Sequence, residues 1–526
     1  MPKVLISDEL SPAAVEIFRA RGLEVDFQPQ LGPDAARLKG IIGKYDGLAI
    51  RSATKVKADI IAAAKNLKVI GRAGIGVDNV DIPAATARGI VVMNTPFGNS
   101  ITTAEHAIAL MFAAARQLGA ADVSTQAGKW EKNRFMGVEL YAKTLGVIGC
   151  GNIGSLVAER ALGLKMKVVA YDPFLSPERA VELGVEKVEL DELLARADFI
   201  SLHTPMTEKT KNILSADNIA RTKKGVVIVN AARGGLVDEA ALRAALESGH
   251  VSAAGVDVFS TEPAKENILF GAPNLVATPH LGASTNEAQE NVALQVAEQM
   301  SDYLMTGAVT NALNMPSITA EEAPRLKPFA ALAERLGAFA GQIVADSLDA
   351  VEIEYEGHVA SMNVKPLTAA ALAGLLRPML ADVNMVSAPA LLKERGVALT
   401  ESRRELSPTY DSVVRIKVQT GGGWRTVAGA VIAGGPKIVE VKGMALEAAF
   451  HPLMLYVNNS DKPGFIGALG TLLGEANVNI ATFNLGRVAA GEDAVALVGI
   501  DQTVQPATLA RIEALPQVRF VKVLAF

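Results

Sequence analysis

Leu145-Gly146-Val147-Ile148-Gly149-Cys150-Gly151-Asn152-Ile153-Gly154 decides the fold. An apolar strand runs into G-x-G-x-x-G and then into a helical segment. Gly149 permits the tight turn, Gly151 lets backbone approach a pyrophosphate, and Gly154 lets helix and strand pack closely. The phosphates then sit at the positive end of a helix, over the free N–H groups of its first turn at Asn152 and Ile153. A lone glycine fingerprint is weak. This one follows a strand, opens a helix and precedes a second strand that ends in Tyr171-Asp172. An acid there hydrogen-bonds a ribose diol and repels a 2′-phosphate, so Asp172 predicts NAD over NADP. Cys150 reads as a small packed residue of the loop.

Outward from this turn, Val/Ile-rich runs alternate with Ala/Leu-rich segments from residue 3 to about 300, the rhythm of βαβ units and a parallel sheet. Strands are expected near 3–6, 47–50, 68–70 and 90–93, then at 144–148, 167–171, 199–203, 226–230, 254–257 and 275–278. The last six are the number expected of a doubly wound dinucleotide fold. The apolar run Ala107–Ala115, inside a helix expected over 102–117, predicts burial nearly all round. A helix is expected over 285–305 and a proline-bearing linker over 307–328. Ala-rich helices and a β-rich stretch follow to about 450, with a turn at Gly421–Gly423. Residues 451–526 read β-α-β-β-α-β, the ferredoxin-like order. The expected architecture is α/β. It has two doubly wound, Rossmann-like domains (1–98 with 284–315 for substrate, 99–283 for NAD), an α+β intervening domain (316–450) and a ferredoxin-like C-terminal domain (451–526).

Composition bounds the rest. Of 526 residues half are hydrophobic, and the net charge is −5. That excludes a disordered chain and gives no sign of a nucleic-acid partner. One cysteine excludes an internal disulfide framework and fits a reducing compartment. The nine residues of Ala107–Ala115 are too few for a membrane span, and Met1–Asp8 reads as a strand, with no signal-peptide shape. A cytoplasmic protein without a metal site is expected.

Oxidising a hydroxyl by hydride transfer requires a cation for the substrate, a base for the proton and a group that tunes the base. Ligands in open α/β folds lie beyond the carboxyl ends of the strands. There three successive strands deliver Arg233, Glu262 and His280. A guanidinium grips a carboxylate and polarises the reacting carbonyl. An imidazole titrates near neutrality, and a carboxylate beside it raises its proton affinity.

With these residues the chain resembles the D-isomer-specific 2-hydroxyacid dehydrogenase family, in its long form. The resemblance rests on Gly71–Asp81, Gly149–Gly154, Asn230–Gly235, Asp257–Phe259 with Glu262-Pro263, and Pro279–Thr285. It implies the same roles for Arg233, Glu262 and His280. It also implies cofactor contacts at Ala231, Ala232, Gly282 and Ala283, nicotinamide-side contact from Asp257, and an adenine pocket at His203, Thr204 and Pro205. The implied reaction is NAD-dependent oxidation of D-3-phosphoglycerate to 3-phosphohydroxypyruvate, the first step of L-serine synthesis. Arg51, Ser52 and free backbone N–H groups around Gly74 would hold the far anion. Other 2-hydroxy acids (glyoxylate or 2-ketoglutarate on the keto side) and a NAD-sensing interaction protein stay open as alternatives.

The last 76 residues resemble an ACT domain through Asn459–Gly467 and Asn477–Ile480. That implies a serine effector held by Asn459, Asp461 and Asn479. Lys365, Arg377, Lys393, Arg395, Arg403 and Arg404 read as a solvated basic face of the intervening domain. The resemblance also implies a homodimer or homotetramer, with Trp130–Arg134 at the dimer interface.

Overall fold

A computed structural model describes every residue except 320, 345, 346, 381 and 382. The first sheet holds β1 (Lys3–Ile6), β2 (Glu24–Phe27), β3 (Gly47–Ile50), β4 (Val69–Arg72) and β5 (Val91–Asn94), all parallel, in the order β2-β1-β3-β4-β5. Strands β3 and β5 are buried along their whole length, as expected where helices cover both faces. Strand β2 is not among the expected strands. Glu24-Val25-Asp26-Phe27 is a short, half-exposed edge strand whose two acids depress its strand propensity.

The second sheet holds β6 (Thr144–Ile148), β7 (Lys167–Tyr171), β8 (Glu186–Lys187), β9 (Phe199–Leu202), β10 (Val226–Asn230), β11 (Val251–Val256) and β12 (Leu275–Ala277). Its order is β12-β11-β10-β9-β6-β7-β8. The seventh strand is β8, two exposed residues paired to β7. The order reverses between β6 and β9, the point beyond whose carboxyl ends ligands bind in doubly wound folds.

Two long helices join these sheets. Ser100–Ala115 covers the second sheet with Ala104, Ala107, Leu110, Met111 and Ala114. Burial all round does not hold: Ile101 is 57% exposed and Phe112 36%. A helix laid on a sheet buries only the stripe that faces it, and the other face stays open in the single chain. Asn286–Thr306 returns the chain to the first sheet, where Val292, Val296 and Met300 pack with Val69. Thr285 caps it by accepting the Ala288 N–H at 3.2 Å.

The third sheet holds β13 (Ala350–Gly357), β14 (Ala398–Arg404), β15 (Ser412–Thr420), β16 (Gly423–Ile432), β17 (Gly435–Val441) and β18 (Met444–Ala449), in the order β14-β13-β15-β16-β17-β18. Only β13 and β14 run parallel. The expected linker is shorter than its prolines implied, because a helix spans Glu322–Ile343 with Pro328 inside it. An interior proline costs about 3 kcal/mol. Burial of Leu332, Leu336 and Phe339 with Leu367 and Leu372 of the helix Lys365–Leu376 offsets it.

The fourth sheet is antiparallel: β19 (Leu453–Ser460), β20 (Ile480–Arg487), β21 (Asp493–Ile500) and β22 (Val518–Ala525), in the order β20-β21-β19-β22. Helices Phe465–Glu475 and Pro506–Glu513 pack Phe465, Leu469 and Ile512 onto Leu455 and Val457. This is the ferredoxin-like arrangement. Among the described residues no helix is long and apolar enough to cross a membrane.

Candidate active site

Strands β10, β11 and β12 are parallel neighbours, so the loops that follow them open on one edge. His280 Nδ1 lies 2.6 Å from Glu262 Oε2. Glu262 is itself fixed, since Oε1 accepts the Phe259 N–H at 3.0 Å. Burial alone would push the Glu262 carboxyl up. The donors from His280 and Phe259 outweigh it and hold the group below the usual carboxylate range. An ionised Glu262 only accepts, so Nδ1 carries the proton and the lone pair is left on Nε2. His280 is half exposed, and among the described residues Nε2 has no protein partner.

Arg233 bridges the cleft. Its Nε donates to Asp78 Oδ2 at 3.0 Å, and its Nη1 to the Ala232 carbonyl at 2.6 Å. Its Nη2 fills the space beside Gly76, where a Cβ would lie 1.6 Å from it. Asn230, quoted above only as part of a motif, locks this loop: its Oδ1 accepts the Ala232 N–H and its Nδ2 donates to the Arg233 carbonyl.

The glycine turn fits a dinucleotide. Gly149 has φ +90°, and a Cβ on Gly154 would sit 1.9 Å from the Gly149 carbonyl oxygen, which excludes any larger residue. Gly151 faces open space, before the helix Asn152–Gly163, whose first turn has no side-chain cap. Ile153 is half-buried, and exposed Asn152 reaches the Pro96 carbonyl at 3.5 Å. Asp172 takes the Cys150 N–H on one oxygen and the Phe174 N–H on the other, each at 2.8 Å, which keeps further acceptor capacity for a diol. Beside the turn, His203 Nδ1 and Thr204 Oγ1 are buried polar atoms without a partner; Pro205 is exposed at the rim. Burial and Asp172 push the Cys150 thiol up to about 11, so it stays protonated and inert. Ala231 is buried, and Ala232 and Ala283 are half-buried along the same edge.

Sequence reasoning missed Arg72, the last residue of β4. Burial, then the like charges of Arg233 and Arg51, push its guanidinium down to about 10. Its Nε is buried and has no partner among the described residues. Arg72 Nη1 lies against Gly74 and Arg233 Nη2 against Gly76, so two guanidinium groups meet on one turn, within reach of the charge of Arg51. The turn that carries Arg51 is built by buried Asp8, whose Oδ2 accepts the Arg51 N–H at 2.5 Å and the Thr54 N–H at 3.2 Å. Ser52 is exposed on that turn.

Gly74, Asp257 and Asn479 each have partners within the chain. Gly74 offers no free N–H, because Thr95 Oγ1 accepts it at 2.6 Å. The N–H groups of Ile75 and Gly76, in the same turn, have no acceptor among the described residues. Asp257 is fully enclosed. Its carboxylate accepts from Thr278 Oγ1 at 2.6 Å, Leu281 N at 2.7 Å and Gly282 N at 2.9 Å, so it anchors the turn that carries His280. In the C-terminal domain, Asn459 and Asp461 line one depression of about 690 Å³ with Arg487 and Gly491. Asn479 lies outside it, bonded to Asp501 at 2.6 Å and Gln502 at 2.7 Å. Asp461 is paired with Arg487 at 2.7 Å.

One pH effect follows from the burial of His203. Burial pushes the His203 imidazole down from 6.5 to about 4. Between those values the unfolded chain takes up a proton that the native chain excludes, so stability falls as pH drops through that window. Thermal unfolding of the NAD-free chain is expected to weaken from pH 6.5 to 4, with a shallower slope in His203→Asn; equal slopes exclude His203 as the source.

Residues 108–282 match the family described as D-isomer specific 2-hydroxyacid dehydrogenase, NAD binding domain, and residues 325–442 the D-3-phosphoglycerate dehydrogenase intervening domain. A D-3-phosphoglycerate dehydrogenase of Archaeoglobus fulgidus is 44% identical over 489 residues, 92% of each chain. One of Bacillus subtilis is 39% identical over 100% of this chain and 99% of its own. Among solved structures, a glyoxylate reductase from Paecilomyes thermophila is 33% identical with a TM-score of 0.55, and the match covers 59% of this chain and 98% of that one.

Proposed function

The chain belongs to the D-3-phosphoglycerate dehydrogenases of the D-isomer-specific 2-hydroxyacid dehydrogenase family, and from that premise we propose that it oxidises D-3-phosphoglycerate to 3-phosphohydroxypyruvate as the first step of L-serine synthesis. It is a NAD-dependent oxidoreductase. Bound at the glycine turn, NAD supplies the hydride acceptor. Arg233 clamps the C1 carboxylate and polarises C2–O. His280 Nε2 takes the C2 hydroxyl proton, and Glu262 stabilises the imidazolium that forms. Arg51 and Arg72, with the N–H groups of Ile75 and Gly76, receive the phosphate.

The observation that carries this reading is the placement of two guanidinium groups on one turn, Arg72 against Gly74 and Arg233 against Gly76, with Arg51 on the neighbouring turn after β3. A substrate with one carboxylate needs one such group; a phosphorylated acid needs more. NADH formation from D-3-phosphoglycerate, glycolate, D-lactate and D-2-hydroxyglutarate tests it, and D-3-phosphoglycerate is expected to be fastest. Charge-assisted hydrogen bonds contribute about 1.5–3 kcal/mol, so Arg72→Ala is expected to raise KM for the phosphorylated acid about ten- to a hundredfold and to spare glycolate. Another acid in first place, or equal losses on both, overturns the reading.

The same assay with millimolar L-serine tests effector control. The buried, unpartnered Asn459 Oδ1 in the depression beside Asp461 supports a polar ligand there. A fall in rate is expected, and an unchanged rate rejects it. Exposed Phe112, Leu118, Val123, Trp130, Met136 and Tyr141 support a homodimer through that side of the chain, with a homotetramer built from the added domains.

A further inference from the structure

We propose that His106 is a positioning residue for the catalytic base: from the helix Ser100–Ala115 it holds the buried Asp257 carboxylate, and through it the turn that presents His280. The inference rests on the reading of His280 as the base. His280 has φ +57°, a left-handed conformation that a residue with a Cβ keeps only where the surroundings over-determine it.

Asp257 supplies that over-determination. Its carbonyl accepts the His280 N–H at 2.9 Å. Its carboxylate accepts from Thr278 Oγ1, two residues before His280, and from the N–H groups of Leu281 and Gly282, the two residues after it. One side chain therefore grips the turn on both sides. That side chain is 0% exposed, and an enclosed carboxylate stays ionised only with donors around it.

The remaining side-chain donor is His106. Its Nε2 lies 3.2 Å from Asp257 Oδ1 and 3.2 Å from Thr278 Oγ1. Thr278 gives its proton to Asp257, and the carboxylate can only accept, so Nε2 carries a proton and donates into the pair. Burial would push the Asp257 carboxyl up; His106, Thr278 and Leu281 together hold it below the usual range. The helix that carries His106 makes one further polar contact with this turn, Thr103 Oγ1 donating to the Gly282 carbonyl at 2.8 Å, and none of Arg51, Arg72 and Arg233 lies on it.

If the donor is what matters, an amide that reaches the same point replaces it, and an isosteric hydrocarbon does not. His106→Leu is expected to lower kcat about ten- to a hundredfold, the scale of an ångström-sized misplacement of a reacting group. The substrate KM and the NAD dissociation constant, measured by fluorescence, should stay within about threefold, because Arg51, Arg72, Arg233 and the glycine turn lie on other strands. His106→Gln, whose Nε2 sits where the imidazole Nε2 does, is expected to recover kcat to within about fivefold of the unmodified chain. His106→Asn keeps the polarity but withdraws the donor by one methylene, and should behave as the Leu variant does, which keeps the test alive if Leu does not fold.

A readout independent of turnover is carbethoxylation of His280 by diethyl pyrocarbonate, followed on its own peptide by mass spectrometry. Its rate should change in Leu and Asn and return in Gln. Ratios are taken on whichever 2-hydroxy acid the unmodified chain oxidises fastest, so a wrong substrate assignment is seen in the unmodified chain and leaves this comparison intact. Unimpaired kcat in both Leu and Asn, or a Gln variant as impaired as they are, overturns the inference.

Discussion

Replacing His280 by alanine is expected to lower kcat by about 10²- to 10⁴-fold, the usual contribution of a positioned general acid–base group. The geometry says why the loss should fall on kcat. His280 Nδ1 is committed to Glu262 at 2.6 Å, and Nε2 is the one basic nitrogen it offers to the cleft. Nothing else among the described residues of this edge replaces it. Arg233 is a cation at working pH, and Asp257 is enclosed with its oxygens occupied. NAD affinity should change little, because the glycine turn and Asp172 belong to other loops. Steady-state NADH formation and fluorescence titration of NADH measure the two quantities on one preparation. Glu262→Gln is expected to act in the same direction but less, since the amide still accepts from Nδ1 while losing the charge that stabilises an imidazolium. An alanine variant with near-native kcat removes His280 from the mechanism, and with it the account of why its backbone is held at φ +57°.

How far the sequence reached depended on whether a signal was local. Gly149, Gly151 and Gly154 lie within six residues of one another, and the strand before them and the helix after them are equally local. The reading there needed no knowledge of distant contacts. Arg233, Glu262 and His280 were legible because each follows a strand, and the doubly wound rule says which end matters. Arg72 was not legible. It is the last residue of β4, and its meaning comes from Arg51 on β3's loop and Arg233 from the other sheet, neighbours that only the folded chain supplies. Asp257 is a related case: the turn after it curls back and spends its N–H groups on that carboxylate, a use of the side chain that only the folded chain supplies. The same locality limit explains Pro328. Proline predicts a helix stop from sequence, but the partner helix Lys365–Leu376 outweighs it. It also explains β8, whose two exposed residues carry no hydrophobic pattern at all.

Arg233→Ala is the second large effect. Truncating one member of a desolvated, hydrogen-bonded charge pair costs about 2–5 kcal/mol, which is roughly a 30- to 5000-fold loss in kcat/KM. Arg233 is placed for this. Asp78 and the Ala232 carbonyl hold one side of the guanidinium, and Asn230 fixes the backbone beneath it, so the fork is pre-oriented before a carboxylate arrives. Lysine cannot present two parallel donors, and Arg233→Lys is expected to recover only a small part of the loss. The pattern across substrates separates this residue from Arg72. Every 2-hydroxy acid carries the C1 carboxylate, so Arg233→Ala should weaken glycolate and D-3-phosphoglycerate in parallel, whereas Arg72→Ala should discriminate between them. The two arginines also repel each other, because the charge of Arg233 is one reason that the Arg72 guanidinium is pushed down. Removing Arg233 relieves that repulsion while Arg72, charged at neutral pH in either case, stays in place for the phosphate. In the double variant the losses should therefore fail to add. Strictly additive losses, or an Arg233→Ala effect confined to phosphorylated substrates, mean that the two guanidinium groups do not share one anion-binding cleft in the way the strand ends place them.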